Sequence, residues 1–222
     1  MTFSIAGRCA RTGMFGVVVS SSSPAVAARC IFARAGVGAA CSQNITDPRL
    51  GPQMLDLLAK GRDAKSALEE VVAKAPHIEY RQLCLVDAGG RGAAYSGAKA
   101  LGRHSTRVGK DCVAAGNLLA SDDVPGAMVA AFEARPDSPL GDRLIAALQA
   151  AVAAGGETGP VHSCGLVLVD RVPWNVADLR VDWAEDDPVS ELAALWEIYR
   201  PQLDDYVQRA LDPSKAPSYP LK

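Results

Sequence analysis

The most reactive reading of this sequence begins at Thr2. If Met1 is removed, which a small second residue permits, the chain starts with a hydroxyl beside its own α-amine. An α-amine titrates at about 7.7–8.0, so part of it is neutral near pH 7. It can then take the hydroxyl proton as the oxygen attacks a carbonyl. The methyl group of threonine restricts χ1 and helps hold that oxygen in place. With Met1 retained, Thr2 has a peptide nitrogen instead, and a Met-Thr start has no chemistry of its own. Asn117, after Gly116, offers an amide donor for an oxyanion where a glycine lets the backbone come close. Gln43 and Asn44 form a similar pair at the end of an apolar run. Asn after Gly is equally ordinary turn chemistry, so convergence of these groups on Thr2 decides between the readings. Arg81 opens a strand with Gln82, where a cation binds a substrate carboxylate or simply faces water.

Other groups read more plainly. Glu157, His162 and Ser163 suggest a hydrolase, but adjacent residues of a strand point to opposite faces, so His162 and Ser163 do not make a triad. His77 and His104 stand alone in polar stretches, and no HxxxH or carboxylate cluster completes a metal site. Cys41 and Cys164 lie in apolar surroundings and read as core. Asp178, Arg180 and Asp182 alternate along one strand face and read as an ion-pair ladder.

The whole chain bounds these options. Its 222 residues fit one domain, expected over 1–211, with a Pro-rich tail over 212–222. Hydrophobic residues at 49% and charged ones at 22% are those of a globular protein. A net charge of -2 leaves no basic excess for nucleic acid. The six cysteines contain no CxxC pair, and no apolar run approaches about 18 residues. The expectation is a cytoplasmic protein with no membrane span and no nucleic-acid partner.

Elements then follow from the pattern. Thr2 to Arg8 and Gly16 to Ser20 read as strands joined by a turn at 11–13. Ala25 to Ala40 is apolar and β-tolerant. Helices are expected over Pro52 to Lys60, closed by Gly61, and from an Asp63 cap to Lys74. Gln82 to Val86 and Gly92 to Ser96 form a hairpin, and Gly102 to Lys110 reads as a loop. Cys112 to Ala115 is a strand. Val124 to Ala134 and Leu140 to Ala154 are helices, and Cys164 to Asp170 pairs with Val176 to Trp183. Asp187-Pro188 opens a last helix through Trp196 and Tyr199 towards Leu211. Hairpins alternating with helix pairs give an α+β fold of antiparallel sheets covered by helices. No strand leads into GxGxxG or GxxxxGK[ST], so no nucleotide cofactor is called for, and none of any kind is expected.

Several stretches in this order resemble the DUF1028 family of bacterial proteins, grouped with the N-terminal nucleophile (Ntn) hydrolase-like superfamily. They are MTFSIAGR at 1–8, RAGVGA at 34–39, RQLCLVD at 81–87, AGNLL at 115–119 and DLRVD at 178–182. Two departures are visible. Ala115 stands where the family often has Gln before Gly-Asn, and GGETGP at 155–160 replaces the commoner GGDxRG. The resemblance implies a four-layer αββα sandwich of two antiparallel sheets flanked by helices. It also implies roles. In Ntn hydrolases a cation near the start of the third strand lowers the pKa of the attacking pair, and Arg29 falls near that place. Ser22, after the second strand, would orient the amine. Catalysis is thus expected of Thr2, Arg29 and Asn117, with substrate contacts from Ser22, Gln43, Asn44 and Arg81. The expected activity is hydrolysis of an amide or related C–N bond in a small metabolite through an acyl-enzyme on Thr2. A non-catalytic scaffold that binds a small ligand or mediates assembly is the alternative, and a Ser or Cys hydrolase a third. A homodimer is expected through the last helix and tail, with Trp196 and Tyr206 as anchors.

Overall fold

The computed structural model describes residues 1–218, and among these ten strands form two antiparallel sheets. The six-stranded sheet holds β1 (Thr2–Arg8), β2 (Phe15–Ser21), β7 (His104–Gly109), β8 (Cys112–Asn117), β9 (Ser163–Val169) and β10 (Asn175–Val181), in the order β10-β9-β2-β1-β8-β7. The four-stranded sheet runs in sequence through β3 (Ile31–Arg34), β4 (Gly38–Asn44), β5 (Arg81–Asp87) and β6 (Gly92–Ser96). Helices are α1 (Ala27–Cys30), α2 (Leu50–Ala59), α3 (Ala64–Lys74), α4 (Val124–Glu133), α5 (Leu140–Ala153), α6 (Pro188–Tyr199) and α7 (Leu203–Leu211).

Alternation along the strands builds the layers. Phe3, Ile5 and Val18 face outward and pack with Phe132, Leu144 and Leu148 of α4 and α5. Gly7 and Gly16 are opposite each other in the β1–β2 register, and a Cβ on them would come within 2.6 Å of Phe132 and 2.5 Å of Leu168. That bare patch lets the helical layer sit down on the sheet. The opposite face carries Ala6, Val17, Val19, Val113 and Ala115, which meet Ala39, Cys41, Cys84 and Val86 between the sheets. Small side chains there allow two sheets to stack closely. Leu83 and Leu85 then face α2 and α3, against Met54, Leu55, Leu68 and Val71. The result is the αββα order. β1 is an interior strand, paired with β2 on one side and β8 on the other.

Three expectations change. The stretch expected as a loop over Gly102 to Lys110 contains β7, an edge strand with mostly exposed side chains and therefore no apolar alternation to betray it. The apolar, β-tolerant run from Ala25 opens with the single turn α1 before its strands. The last helix is divided by a 3-10 turn at Arg200–Gln202, where Pro201 has no N–H to continue an α-helical ladder. Trp196 is also no surface anchor. It is 2% exposed, lies against Gly141 and donates from Nε1 to Asp142 Oδ1 at 2.7 Å. Of the expected tail, Pro213–Lys215 forms one 3-10 turn and Arg209 donates to the Pro217 carbonyl; residues 219–222 lie outside the described residues.

Candidate active site at the start of β1

Thr2 is the first residue of β1, placed directly across from Asn117 of β8. Its side chain is on the inter-sheet face with Ser4 and Ala6, at the end of the layer where polar residues replace valines. It is 5% exposed. Thr2 Oγ1 donates to the Met1 carbonyl, and Ser21 Oγ donates to that same oxygen. The two hydroxyls are 3.4 Å apart. Ser21 ends β2 and is held from behind, accepting from Ser23 N at 3.1 Å and sharing a hydrogen bond with Ser23 Oγ at 2.8 Å.

Arg29, in α1, does not touch Thr2. Its guanidinium donates to Ser23 Oγ at 2.7 Å and to the carbonyls of Pro24 and Ala25. It therefore reaches Thr2 through two hydroxyls, Ser23 and Ser21. Ser22, expected to orient the amine, instead donates its backbone N–H to Glu157 Oε2 at 3.3 Å. Period-two alternation explains the exchange: Ser21, not Ser22, shares the inter-sheet face of Val17 and Val19.

Glu157 follows α5 in a loop bridged to Leu119. It is 6% exposed, and its Oε1 is buried without a hydrogen-bond partner. Burial pushes its carboxyl up to about 7, while the positive α-amine of Met1 and the hydrogen bonds from Ser22 pull the other way. It opens on a cleft of about 370 Å3 whose walls include Phe3, Gly156, Gly159, Pro160 and Asp187. The Met1 side chain lies along this wall, its Sδ accepting from Thr158 Oγ1 at 3.6 Å.

The amides expected at the site turn elsewhere. Gln43 Oε1 accepts from Ser4 Oγ at 2.7 Å, and its Nε2 donates to Gln82 Oε1 at 2.8 Å. Gln82 Nε2 donates to Ser96 Oγ and to the Gly116 carbonyl, both at 2.9 Å. Asn117 Nδ2 donates to Gln82 Oε1 at 3.1 Å, so that bond aims into the network rather than towards Thr2, and its Oδ1 has no partner. Gln43 is thus a clamp between the sheets. Asn44 points the other way, as its neighbour in a strand must. With a φ of +74° it ties the Tyr80 carbonyl and Leu101 N–H into its turn. Arg81 donates to the Ile45 carbonyl, closing the same loop. Neither reaches Thr2 by a direct hydrogen bond.

A model described as a family of unknown function, DUF1028, matches residues 2–192. The chain belongs to this family. A crystal structure of a DUF1028 protein from Silicibacter pomeroyi is similar, with 28% identity and a TM-score of 0.82, covering 89% of this chain and 88% of that one. Looser likenesses are Anbu (ancestral beta-subunit) from Yersinia bercovieri, at 11% identity and TM-score 0.41, over 99% of this chain and 100% of that one. An Anbu mutant from Hyphomicrobium sp. strain MC1 gives 12% and 0.39 over 100% of each. At these values no residue role is carried across. A search of curated proteins finds no match.

In this DUF1028 chain the groups that converge are Thr2, Ser21, Ser23, Arg29 and Glu157. Ser21 faces Thr2 because the β1–β2 hairpin is centred on 11–12; the turn expected at 11–13 would set Thr2 against Ser22 instead. Glu157 was visible only as a charge between glycines. Among the described residues no helix is long and apolar enough to cross a membrane, and no group of three or more His, Cys, Asp or Glu could hold a metal ion.

Proposed function

We propose that this chain, once the Met1–Thr2 bond is cut, hydrolyses an amide or related C–N bond in a small molecule through an acyl-enzyme on Thr2. The observation that carries this reading is the carbonyl of Met1, which accepts from both the Thr2 and Ser21 hydroxyls. A substrate carbonyl in that place meets the nucleophile and one hydrogen-bond donor together. Thr2 Oγ1 adds to the carbonyl carbon while the α-amine takes its proton. Ser21 Oγ, not Asn117, steadies the developing negative oxygen. The amine returns the proton to the leaving nitrogen as the C–N bond breaks, then activates the water that hydrolyses the ester. Arg29, acting through Ser23 and Ser21, favours the neutral amine.

The alternative is a scaffold that binds a small ligand without turnover. One observation favours it: Thr2 is nearly buried beneath Met1. Comparing a chain that starts at Thr2 with the Met1-bearing chain on a panel of small amides separates the two. Turnover by the shorter chain alone supports the hydrolase. Equal silence from both supports the scaffold.

For assembly we propose a dimer through the surface around Ile198, Tyr206 and Leu211, which are 66%, 37% and 60% exposed. Light scattering at micromolar concentration should give twice the chain mass; a monomer sinks the proposal.

A further inference from the structure

Met1 is more than a cover. It is an α-aminoacyl group already seated on the nucleophile, and its carbonyl and side chain meet different surfaces. Its carbonyl oxygen accepts from Thr2 and Ser21. Its side chain runs past Thr158 and Gly159, 3.4 Å from where a Cβ on Gly159 would stand, and it is 36% exposed, so this wall is open to longer groups. Its α-amine makes no hydrogen bond to Glu157 Oε1, which stays without a partner.

We propose that the substrate is an α-aminoacyl amide with a free ammonium, its carbonyl on Thr2 and Ser21 and its side chain along Gly159 as those of Met1 are, and its ammonium on the open Oε1 of Glu157. The identity of the bond broken rests on the hydrolase reading above; the binding claim does not. Glu157 supplies the independent observation. It is 94% buried by its 6% exposure, yet Oε1 has no partner in the protein. A buried carboxylate oxygen left open is costly unless a ligand donor meets it. The cleft that it opens on is walled also by Asp186 and Asp187, with no lysine or arginine among its lining residues. The field there attracts a cation and repels a free carboxylate.

Loss of Met1 frees the two hydroxyls and the Gly159 wall, beside a Glu157 oxygen that is already open. An incoming aminoacyl amide then places its carbonyl carbon against Thr2 Oγ1. The O–C bond forms, the C–N bond breaks, and the leaving amine takes the proton. Water next cleaves the ester, so the balance is aminoacyl amide plus water to free amino acid plus amine.

The test uses the chain that starts at Thr2, with methionine amide and N-acetylmethionine amide as probes. The free amide should be turned over with a kcat/KM at least about tenfold higher, the value of one charge-assisted contact. Glu157→Gln, near-isosteric, should bring the ratio towards one. Calorimetric binding of the same two amides is measured alongside. A tenfold preference in Kd that vanishes in Glu157→Gln supports the proposal even without turnover, and that silence then counts against Thr2 as nucleophile only. The proposal is overturned if the acetylated amide is bound or turned over as well as the free one. Retention of the preference in Glu157→Gln, or no binding of either at millimolar concentration, overturns it as well. If the variant fails to fold, the preference of the parent chain decides.

Discussion

Two polar groups lie side by side at one end of the inter-sheet layer, and they are built on opposite terms. In the first, Ser4, Gln43, Gln82 and Ser96 link four strands, and both ends of each glutamine amide are hydrogen-bonded within the protein. In the second, Thr2 and Ser21 point their hydroxyls at the carbonyl of the terminal residue, and Glu157 keeps a buried oxygen free. Asn117 stands at the junction, bonded to Gln82 on one side and unpartnered on the other. A buried network that satisfies itself serves to hold the two sheets in register. A buried cluster that does not keeps hydrogen-bonding capacity open.

The sharpest break of the comparison is at Thr2. In a chain lacking Met1, Thr2→Ala should lower turnover at least about a thousandfold, because no hydroxyl remains to attack. Thr2→Ser should keep measurable activity. Both variants should unfold near the parent's midpoint, since Thr2 belongs to the open cluster and not to the clamp.

The clamp should behave in the reverse way. Gln82→Leu leaves Gln43 Nε2, Asn117 Nδ2 and the Gly116 carbonyl without their partner. Such orphans cost 1–3 kcal/mol each, so a loss of about 4 kcal/mol is expected in urea unfolding. Val17→Ala, at the apolar end of the same layer, should cost only about 2 kcal/mol. A glutamine loss smaller than the valine loss would show that the network is ornamental.

Glu157 gives a pH signature. Its carboxyl is raised from an ordinary 4.5 to about 7 in the folded Met1-bearing chain, chiefly by burial. Between those values the unfolded chain has lost the proton and the folded chain retains it, so stability falls as pH rises. The shift corresponds to about 3 kcal/mol in all. Glu157→Gln removes this dependence. The stability difference between variant and parent should therefore grow in the variant's favour from pH 4.5 to 7 and be flat above; a constant difference would contradict the burial argument.

The smallest effect belongs to Arg29. Two hydroxyls separate it from Thr2, and at that separation a charge moves a neighbouring pKa by about half a unit. Arg29→Met should raise the amine pKa, because the nearby cation no longer opposes protonation, and shift the pH–rate profile upward by that amount. A shift downward would remove Arg29 from the account.

Most of the fold was legible because its buried strands alternate: Phe3 and Ile5 one way, Ser4 and Ala6 the other. β7 escaped because an exposed edge strand carries no apolar signal. The site was legible only in its first residue. The sequence offers Asn117 as a catalytic amide donor and Gln43 as a substrate contact, and only the folded chain bonds both of them to Gln82. The sequence offers Ser22, and the structure brings Ser21 beside Thr2; in a strand that one-residue step reverses the face. Glu157 lies more than 150 positions from Thr2 in sequence. Only folding brings it to the cleft beside Met1.

The central claim, that Thr2 is a nucleophile, is most directly tested by trapping it. A chain that starts at Thr2 is treated with a small β-lactone, and intact mass is read before and after hydroxylamine. The account predicts one adduct per chain, mapped to Thr2 and removed by hydroxylamine as an ester on Oγ1 must be, with no adduct on the Met1-bearing chain. An unmodified protein, or an adduct on any other residue, would contradict it.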